Sequence, residues 1–363
     1  MPRNMRFGPS NATSIDLCVH DLILASRYRE ETRILCCENE TLFSGLDIVT
    51  YPPSTDRHKA RKIKFALGQA KARAVDLIVV QQHLPTAAAV ARRSSTPVIL
   101  HKHNLTKPTP ATGFLNRLKR IWRIRQHNAL AGIIFVSEAC KDAFRADWPE
   151  ITAPMAVVYN GLDFRQWNAD GPRRNEIICV GRAAPEKGIK EAAEAVVSVL
   201  KTEPSWSARF VLSESHRFAN YLRLVTETLQ PLADRVSIEL DQTLPVVRRR
   251  LEEAAIAIVP SRWEEPFGRT ALEAHAAGCA VISSGTGGLK EVSGGHAVLL
   301  PERFTAGDIA EKLNALIGDG AKREAIAREG RAYCERRFAL DEISASADRF
   351  YEQICKQVPR KAA

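Results

Sequence analysis

Short, mostly apolar runs recur along the chain, separated by longer stretches with helical periodicity. The runs lie at 32–37, 76–80, 97–100 and 133–136, then at 176–180, 209–213, 236–240, 254–259 and 279–282. Amphipathic or alanine-rich segments at 14–24, 59–74, 85–94, 189–201, 219–229 and 246–253 fill the gaps, and another ends at Gly278. A run apolar at every position, such as AAIAIV at 254–259, suits a strand buried on both faces, as in a parallel sheet. Helices alternating with such runs supply the crossovers. From 308 to 337 the pattern is helical throughout, and a last amphipathic helix covers 340–356. The pattern predicts an α/β protein with parallel sheets.

Breakers divide this pattern in two. NADGPRRN at 168–175 has the polarity and turn residues of an interdomain linker. It separates an expected N-terminal lobe, 1–167, from a C-terminal lobe, 168–337, followed by a terminal segment, 338–363. At 363 residues there is enough chain for two full cores. The first ten residues are too polar for a convincing opening strand, so either that strand is degenerate or the chain starts late.

Composition narrows the partners. Fifty-two Lys and Arg against 42 Asp and Glu leave a charge of +10, which favours phosphates, an acidic membrane surface or nucleic acid. No zinc-finger, RRM or helix-turn-helix spacing supports nucleic acid. Eight cysteines without C-x-x-C spacing suggest small buried hydrophobes in a reducing compartment, with neither a zinc site nor disulfides. No apolar run approaches the ~20 residues of a membrane span, and no signal-peptide pattern follows the start, so the expected location is the cytoplasm. One helix qualifies this. FLNRLKRIWRIR at 114–125 places apolar residues at 114, 118, 121 and 122 among Arg117, Lys119, Arg120, Arg123 and Arg125. Such a helix can lie on anionic headgroups through Arg117, Lys119, Arg120 and Arg123, making the protein peripheral on an inner membrane. The same pattern also suits a helix whose apolar stripe packs on its own lobe.

Candidate chemistry gathers at the ends of the apolar runs, where open α/β sheets bind their ligands. After 254–259 comes PSRWEEPFGRTALEAHAAGCAVISSGTGGLKEV, which places Glu265 just before a helix and Glu273 within it. If both were helical they would lie roughly 12 Å apart along the axis. Two such carboxylates can accept hydrogen bonds from different hydroxyl groups of one ligand. After 176–180 comes GRAAPEKG, in which a glycine turn, Arg182, Lys187 and a helix start converge. That is an anion site, and a diphosphate would fit it. Three histidines also stand at strand ends: His83, His101 and His103.

With these residues in view, the chain resembles the retaining, nucleotide-sugar-dependent glycosyltransferases of family four. Glu265 and Glu273 match that family's E-x7-E pair, and EPFGRTALEAHAAGCAVISS and GGLKEV extend the match. GRAAPEKG is similar to its G-R-x-x-x-x-K-G loop, VVYNGLD at 157–163 to the segment closing its first lobe, and HKHN at 101–104 to its H-x-H-N strand end. The resemblance implies the GT-B fold, two Rossmann-like lobes with parallel sheets facing across a cleft. It implies a nucleotide diphosphate sugar as donor, with a saccharide or lipid-linked acceptor as in bacterial lipopolysaccharide or surface polysaccharide synthesis. Arg182 and Lys187 would then neutralise the diphosphate, assisted by backbone N–H groups around Gly287 and Gly288. Glu273 would hold the ribose and Glu265 the donor sugar, with Phe267 and Gly268 beside them and His103 acting near that sugar. Gly8, His83, His101 and Asn104 would serve the acceptor side. No D-x-D occurs, so neither a metal nor a cofactor is expected. A nucleotide-sugar epimerase of the same fold is the main alternative. A dehydrogenase lacks its G-x-G-x-x-G, and a non-catalytic basic binding protein would leave the motifs as coincidence.

Overall fold

A computed structural model describes residues 7–9, 12–106 and 112–357. The question of an opening strand falls mainly on residues 1–6 and 10–11, outside the described residues. The chain forms two compact units, Met1–Gly161 with Leu340–Ala363 as unit 1 and Leu162–Ala339 as unit 2. The stretch at 168–175 is therefore not the divide. Arg173 Nη1 donates to the carbonyls of Leu251, Glu252 and Ala254, and the Asn168 amide donates to Glu252 Oε1 at 2.8 Å. Those bonds hold the breaker-rich segment inside unit 2.

Unit 1 contains a parallel pair, β1 (Arg33–Cys37) and β2 (Asp47–Tyr51), in register from Arg33↔Asp47 to Cys37↔Tyr51. It also contains a parallel four-stranded sheet ordered β3 (Ile78–Gln81), β4 (Val98–Lys102), β5 (Gly132–Phe135), β6 (Met155–Val157). Sequential order with helices between successive strands is the signature of repeated crossovers. β2 escaped the sequence reading because DIVTY opens on a charge and buries only Tyr51 fully. The terminal helix Leu340–Gln357 belongs to this unit. Its Ile343, Ala347, Phe350 and Ile354, spaced by four, three and four, share one face and pack on Leu22, Ile99, Ile134 and Val158. Asp348, also buried, accepts bonds from Ser26 Oγ (2.7 Å) and the Arg27 amide (3.1 Å), so its burial is compensated.

The basic helix, Phe114–His127, has its apolar stripe outward: Phe114, Leu115, Leu118, Ile121 and Trp122 are 47–75% exposed. The reading in which this stripe packs on its own lobe is thereby overturned. Arg120 instead turns inward, donating to both Glu150 oxygens, with its guanidinium 4.6 Å from the centre of the Trp148 ring. Among the described residues no helix is long and apolar enough to cross a membrane.

Unit 2 is built on six parallel strands: β7 (Arg174–Arg182), β8 (Ser207–Ser213), β9 (Val236–Leu240), β10 (Ala254–Val259), β11 (Ala280–Ser283) and β12 (Val298–Leu299). Their order across the sheet is β12-β11-β10-β7-β8-β9. Counted from β7, that is the doubly wound order 3-2-1-4-5-6. Every residue of β10 is buried, as its unbroken apolar run requires. The helix Ile189–Leu200 covers one face through Ile189, Ala192, Val196 and Val199. From β7 the chain winds outward through β8 and β9, then crosses back to β10 on the other side of β7 and winds outward through β11 and β12. The crevice this opens at the carboxyl ends of β7 and β10 is where such sheets bind ligands.

Candidate functional site

Two loops meet at that switch point in unit 2. The first, 183–188, leaves β7 through a 3-10 turn, Pro185–Lys187, and enters the helix Ile189–Leu200 at Gly188. Gly188 has φ +67°, and a Cβ there would lie 2.0 Å from the Pro260 carbonyl oxygen, so only glycine permits the approach. The second loop, 260–268, leaves β10 and enters the helix Arg269–Ala276. Glu265 is in this loop, four residues before the helix, whereas Glu273 lies in the second helical turn. Chain crossing the mouth of the crevice makes the two loops touch: the Arg262 amide donates to the Glu186 carbonyl at 2.8 Å.

The side chains there form charge pairs. Lys187 Nζ donates to Glu265 Oε1, which also accepts from Ser261 Oγ, and the ammonium sits 5.4 Å from the centre of the Trp263 ring. Glu265 is buried, and the Lys187 ammonium balances its charge. Arg182 pairs with Glu186 at 3.0 Å and lies 3.9 Å from Glu214. Glu273, also buried, accepts from Arg269 Nε at 2.8 Å, one helical turn away. Phe267 is buried edge-on against Phe338, with ring centres 5.5 Å apart. Gly268, at φ +103°, leaves no room for a Cβ beside Leu289.

The glycine pair behaves unequally. Gly287 and Gly288 lie against the 265–267 backbone, where a Cβ on Gly288 would fall 2.6 Å from Phe267 Cα. The Gly288 amide donates to the Glu265 carbonyl at 2.8 Å. It is therefore occupied in positioning Glu265, a correction to its expected place as a ligand donor. Ser261, Trp263, Arg269, Glu186 and Glu214 were not anticipated. A regular i, i+4 spacing to Glu273 could have flagged Arg269, and likewise Glu186 from Arg182. Ser261 likewise bonds Glu265 four residues along one loop, whereas Trp263 meets Lys187, and Glu214 meets Arg182, only through tertiary packing.

The histidine group forms a separate cluster on unit 1. His101, next to last in β4, pairs with Gln81 of β3, and its ring stacks on that of His103 with centres 4.3 Å apart. His103 Nε2 bonds Gln81 Oε1 at 2.8 Å, and its backbone amide donates to Gln82 Oε1 at 2.7 Å. Gln82 adopts φ +61°, a strained conformation for a side-chain-bearing residue, held by its amide bond to the His101 carbonyl. Burial pushes His101 down to about 4, and burial with the neighbouring imidazole holds His103 well below the usual histidine range. Both rings are neutral near pH 7. His83 stands apart as the residue before the helix Leu84–Ala91, bonded to Thr86 Oγ1 at 2.7 Å. Asn104 is exposed, and Gly8 is buried where a Cβ would collide with the Thr41 carbonyl.

Comparison with known proteins places these units. A family model described as "Glycosyl transferases group 1" matches residues 163–333, and one described as "Glycosyltransferase Family 4" matches 23–166. The chain is 25% identical over 254 residues to an alpha-maltose-1-phosphate synthase of Mycobacterium tuberculosis, covering 62% of this chain and 64% of the relative. It is 22% identical over 227 residues to the lipopolysaccharide core biosynthesis mannosyltransferase LpsB of Rhizobium meliloti, covering 57% and 63%. The match thus spans less than two thirds of either relative. The crystal structure of Anabaena HepE in complex with UDP and glucose superposes with a TM-score of 0.76 at 18% identity, over 96% of this chain and 98% of that one. At that identity the likeness is one of fold.

Proposed function

The chain belongs to the family-four glycosyltransferases of the GT-B fold, and from that premise we propose that it transfers a sugar from a nucleotide diphosphate donor to an acceptor hydroxyl with retained configuration. The observation that carries the donor site is the pairing of Lys187 with Glu265 across the switch point of unit 2. The end of β7 and its loop bring Arg182 and Lys187, and the second loop with its helix brings Glu265 and Glu273, the two chemistries that a diphosphate and a sugar require. Arg182 and Lys187 stabilise charge growing on the departing diphosphate, which is the largest electrostatic demand of the transition state. Glu265 takes hydroxyls of the donor sugar, and Glu273 those of the ribose. Of the two glycine amides, that of Gly287 remains for phosphate. Phe267 and Gly268 shape the turn that sets Glu265. His103, a neutral ring, is suited to bond sugar hydroxyls as an uncharged hydrogen-bonding group.

Retention follows from attack by the acceptor on the face from which the diphosphate leaves, with no enzymic nucleophile. The cations take the role a metal would otherwise fill, so the reaction is metal-independent. LpsB, a lipopolysaccharide mannosyltransferase by name, supports a saccharide or lipid-linked acceptor of surface polysaccharide synthesis. A lipid-linked acceptor puts the reaction at a membrane face reached from the cytoplasm. HepE, crystallised with UDP and glucose, supports a UDP-sugar as the first donor to try.

Calorimetric titration of UDP-, GDP- and ADP-sugars tests this directly. One of them should bind, and Lys187→Ala should weaken it; no heat with any of the three would overturn the reading. Turnover should persist in EDTA, and activity lost to EDTA but restored by Mg²⁺ would refute metal independence. Conversion of the donor without any acceptor present would point to an epimerase instead.

A further inference from the structure

The positive charge of this protein is concentrated on one part of unit 1. Residues 57–93 and 114–127 together carry fourteen Lys and Arg against a single acid, Asp76. That excess of 13 is larger than the +10 of the whole chain, so the remainder is net acidic. The structure sets these segments side by side. The helix Lys59–Ala72 packs on Leu84–Ala91, which packs in turn on Phe114–His127.

The end helix of this row is two-faced. At 100° per residue, Phe114, Leu115, Leu118, Ile121 and Trp122 fall in an arc of about 120°. Asn116, Arg120, Arg123, Ile124 and His127 occupy the opposite arc and face the unit. Arg117 and Lys119 flank the apolar arc and Arg125 lies at its C-terminal end, all three exposed. Of the nine exposed large hydrophobic side chains among the described residues, five are on this one helix. Two helices away, a groove of about 610 Å³ is floored by Ile63 and Leu67 and edged by Lys59, Lys64, Arg92 and Arg93.

We propose that this row of helices is a docking surface for an anionic lipid bilayer: the apolar arc of Phe114–His127 enters the acyl boundary, Arg117, Lys119 and Arg125 meet headgroup phosphates, and the groove edged by Lys59, Lys64 and Arg92 seats a further one. Charge decides the occupant. A second copy docked isologously would set these cations against themselves, with no acid on the helix to relieve them. An anionic bilayer supplies an apolar interior and a phosphate layer at the right relative depth. The cation set also departs from the sequence expectation, since Arg120 and Arg123 lie on the inward arc and Arg125 replaces them.

Vesicle co-sedimentation tests the surface without donor or turnover, so its outcome is separate from that of the glycosyl-transfer reading. The full chain should bind phosphatidylcholine vesicles containing phosphatidylglycerol and scarcely bind phosphatidylcholine alone. Neutralising Arg117, Lys119 and Arg125 to Gln should weaken binding on the order of 100-fold, and Lys59, Lys64 and Arg92 to Gln should do the same. Leu118→Glu with Trp122→Glu should abolish binding, with an unchanged melting temperature because both side chains are already exposed. Equal binding to neutral vesicles would overturn the headgroup contacts. Undiminished binding of the glutamate variant, or absence of binding by the wild type, would overturn the proposal. So would sedimentation velocity showing a dimer that this variant dissolves while the wild type ignores vesicles.

Discussion

Lys187 and Glu265 form the contact on which the site turns, and each makes demands on the other. Glu265 is buried and takes bonds from Lys187 and Ser261, so Lys187→Ala leaves a carboxylate without its cation. That should cost roughly 2 kcal/mol of stability, and Lys187→Ala with Glu265→Ala should recover part of it, since the unpaired charge is then gone. Thermal melts of the two singles and the double would measure the coupling; strict additivity would mean that the pair contributes nothing. In catalysis the expected division is different. In the proposed reaction Lys187 faces charge that grows as the diphosphate leaves, so its removal should lower kcat more than donor affinity. Ribose hydroxyls do not change during transfer, so Glu273→Ala should chiefly weaken donor binding, by about 10- to 150-fold. Kinetics at saturating acceptor with titrated donor separate the two, and a lower kcat with unchanged donor Kd for Glu273→Ala would contradict the assignment.

At the scale of elements, the site depends on two loops pressed together at the sheet edge. Gly188→Ala would force both a strained φ and a Cβ into the Pro260 carbonyl. Either the 183–188 or the 260–268 loop must move, so stability should fall by about 1–3 kcal/mol and donor binding should fall with it. Calorimetry and melting of the same preparation check this; full donor affinity in a destabilised variant would detach the loops from donor binding. These elements were readable before the fold was known because their signals are local. An unbroken apolar run such as AAIAIV and a glycine stop at Gly278 both appear as expected. β2 was not readable, since a half-exposed edge strand carries little of the apolar pattern that marks the buried ones.

For the molecule as a whole, buried neutral histidines tie stability to pH. Burial pushes His101 and His127 down to about 4 and His275 to about 3, from an ordinary 6.5. In the unfolded chain these rings take up protons near pH 6.5, whereas the folded units resist them. Their contribution is therefore complete above pH 6.5 and is lost as pH falls toward 4, by up to about 3 kcal/mol for each unit-1 histidine. Carboxylates titrate mostly below pH 5, so the interval from 6.5 to 5 isolates the histidines. The melting temperature should drop across that interval, and less so in His101→Leu; identical curves at pH 5 and 7 would contradict it.

The amino-acid sequence by itself determined the alternation of strand and helix, the parallel sheets, and the two motifs of unit 2. Each rests on spacing within one segment, which local physics reads without knowing the neighbours. Tertiary structure alone decided what those segments meet. It placed the divide at Gly161 and Leu162, because Arg173 binds carbonyls about 80 residues away in sequence. It gave the Gly288 amide to the Glu265 carbonyl, and it turned Arg120 inward to Glu150 while leaving Leu118 and Trp122 outside. An amphipathic pattern reveals that a helix has two faces, but which face is covered depends on the partners the fold brings to it.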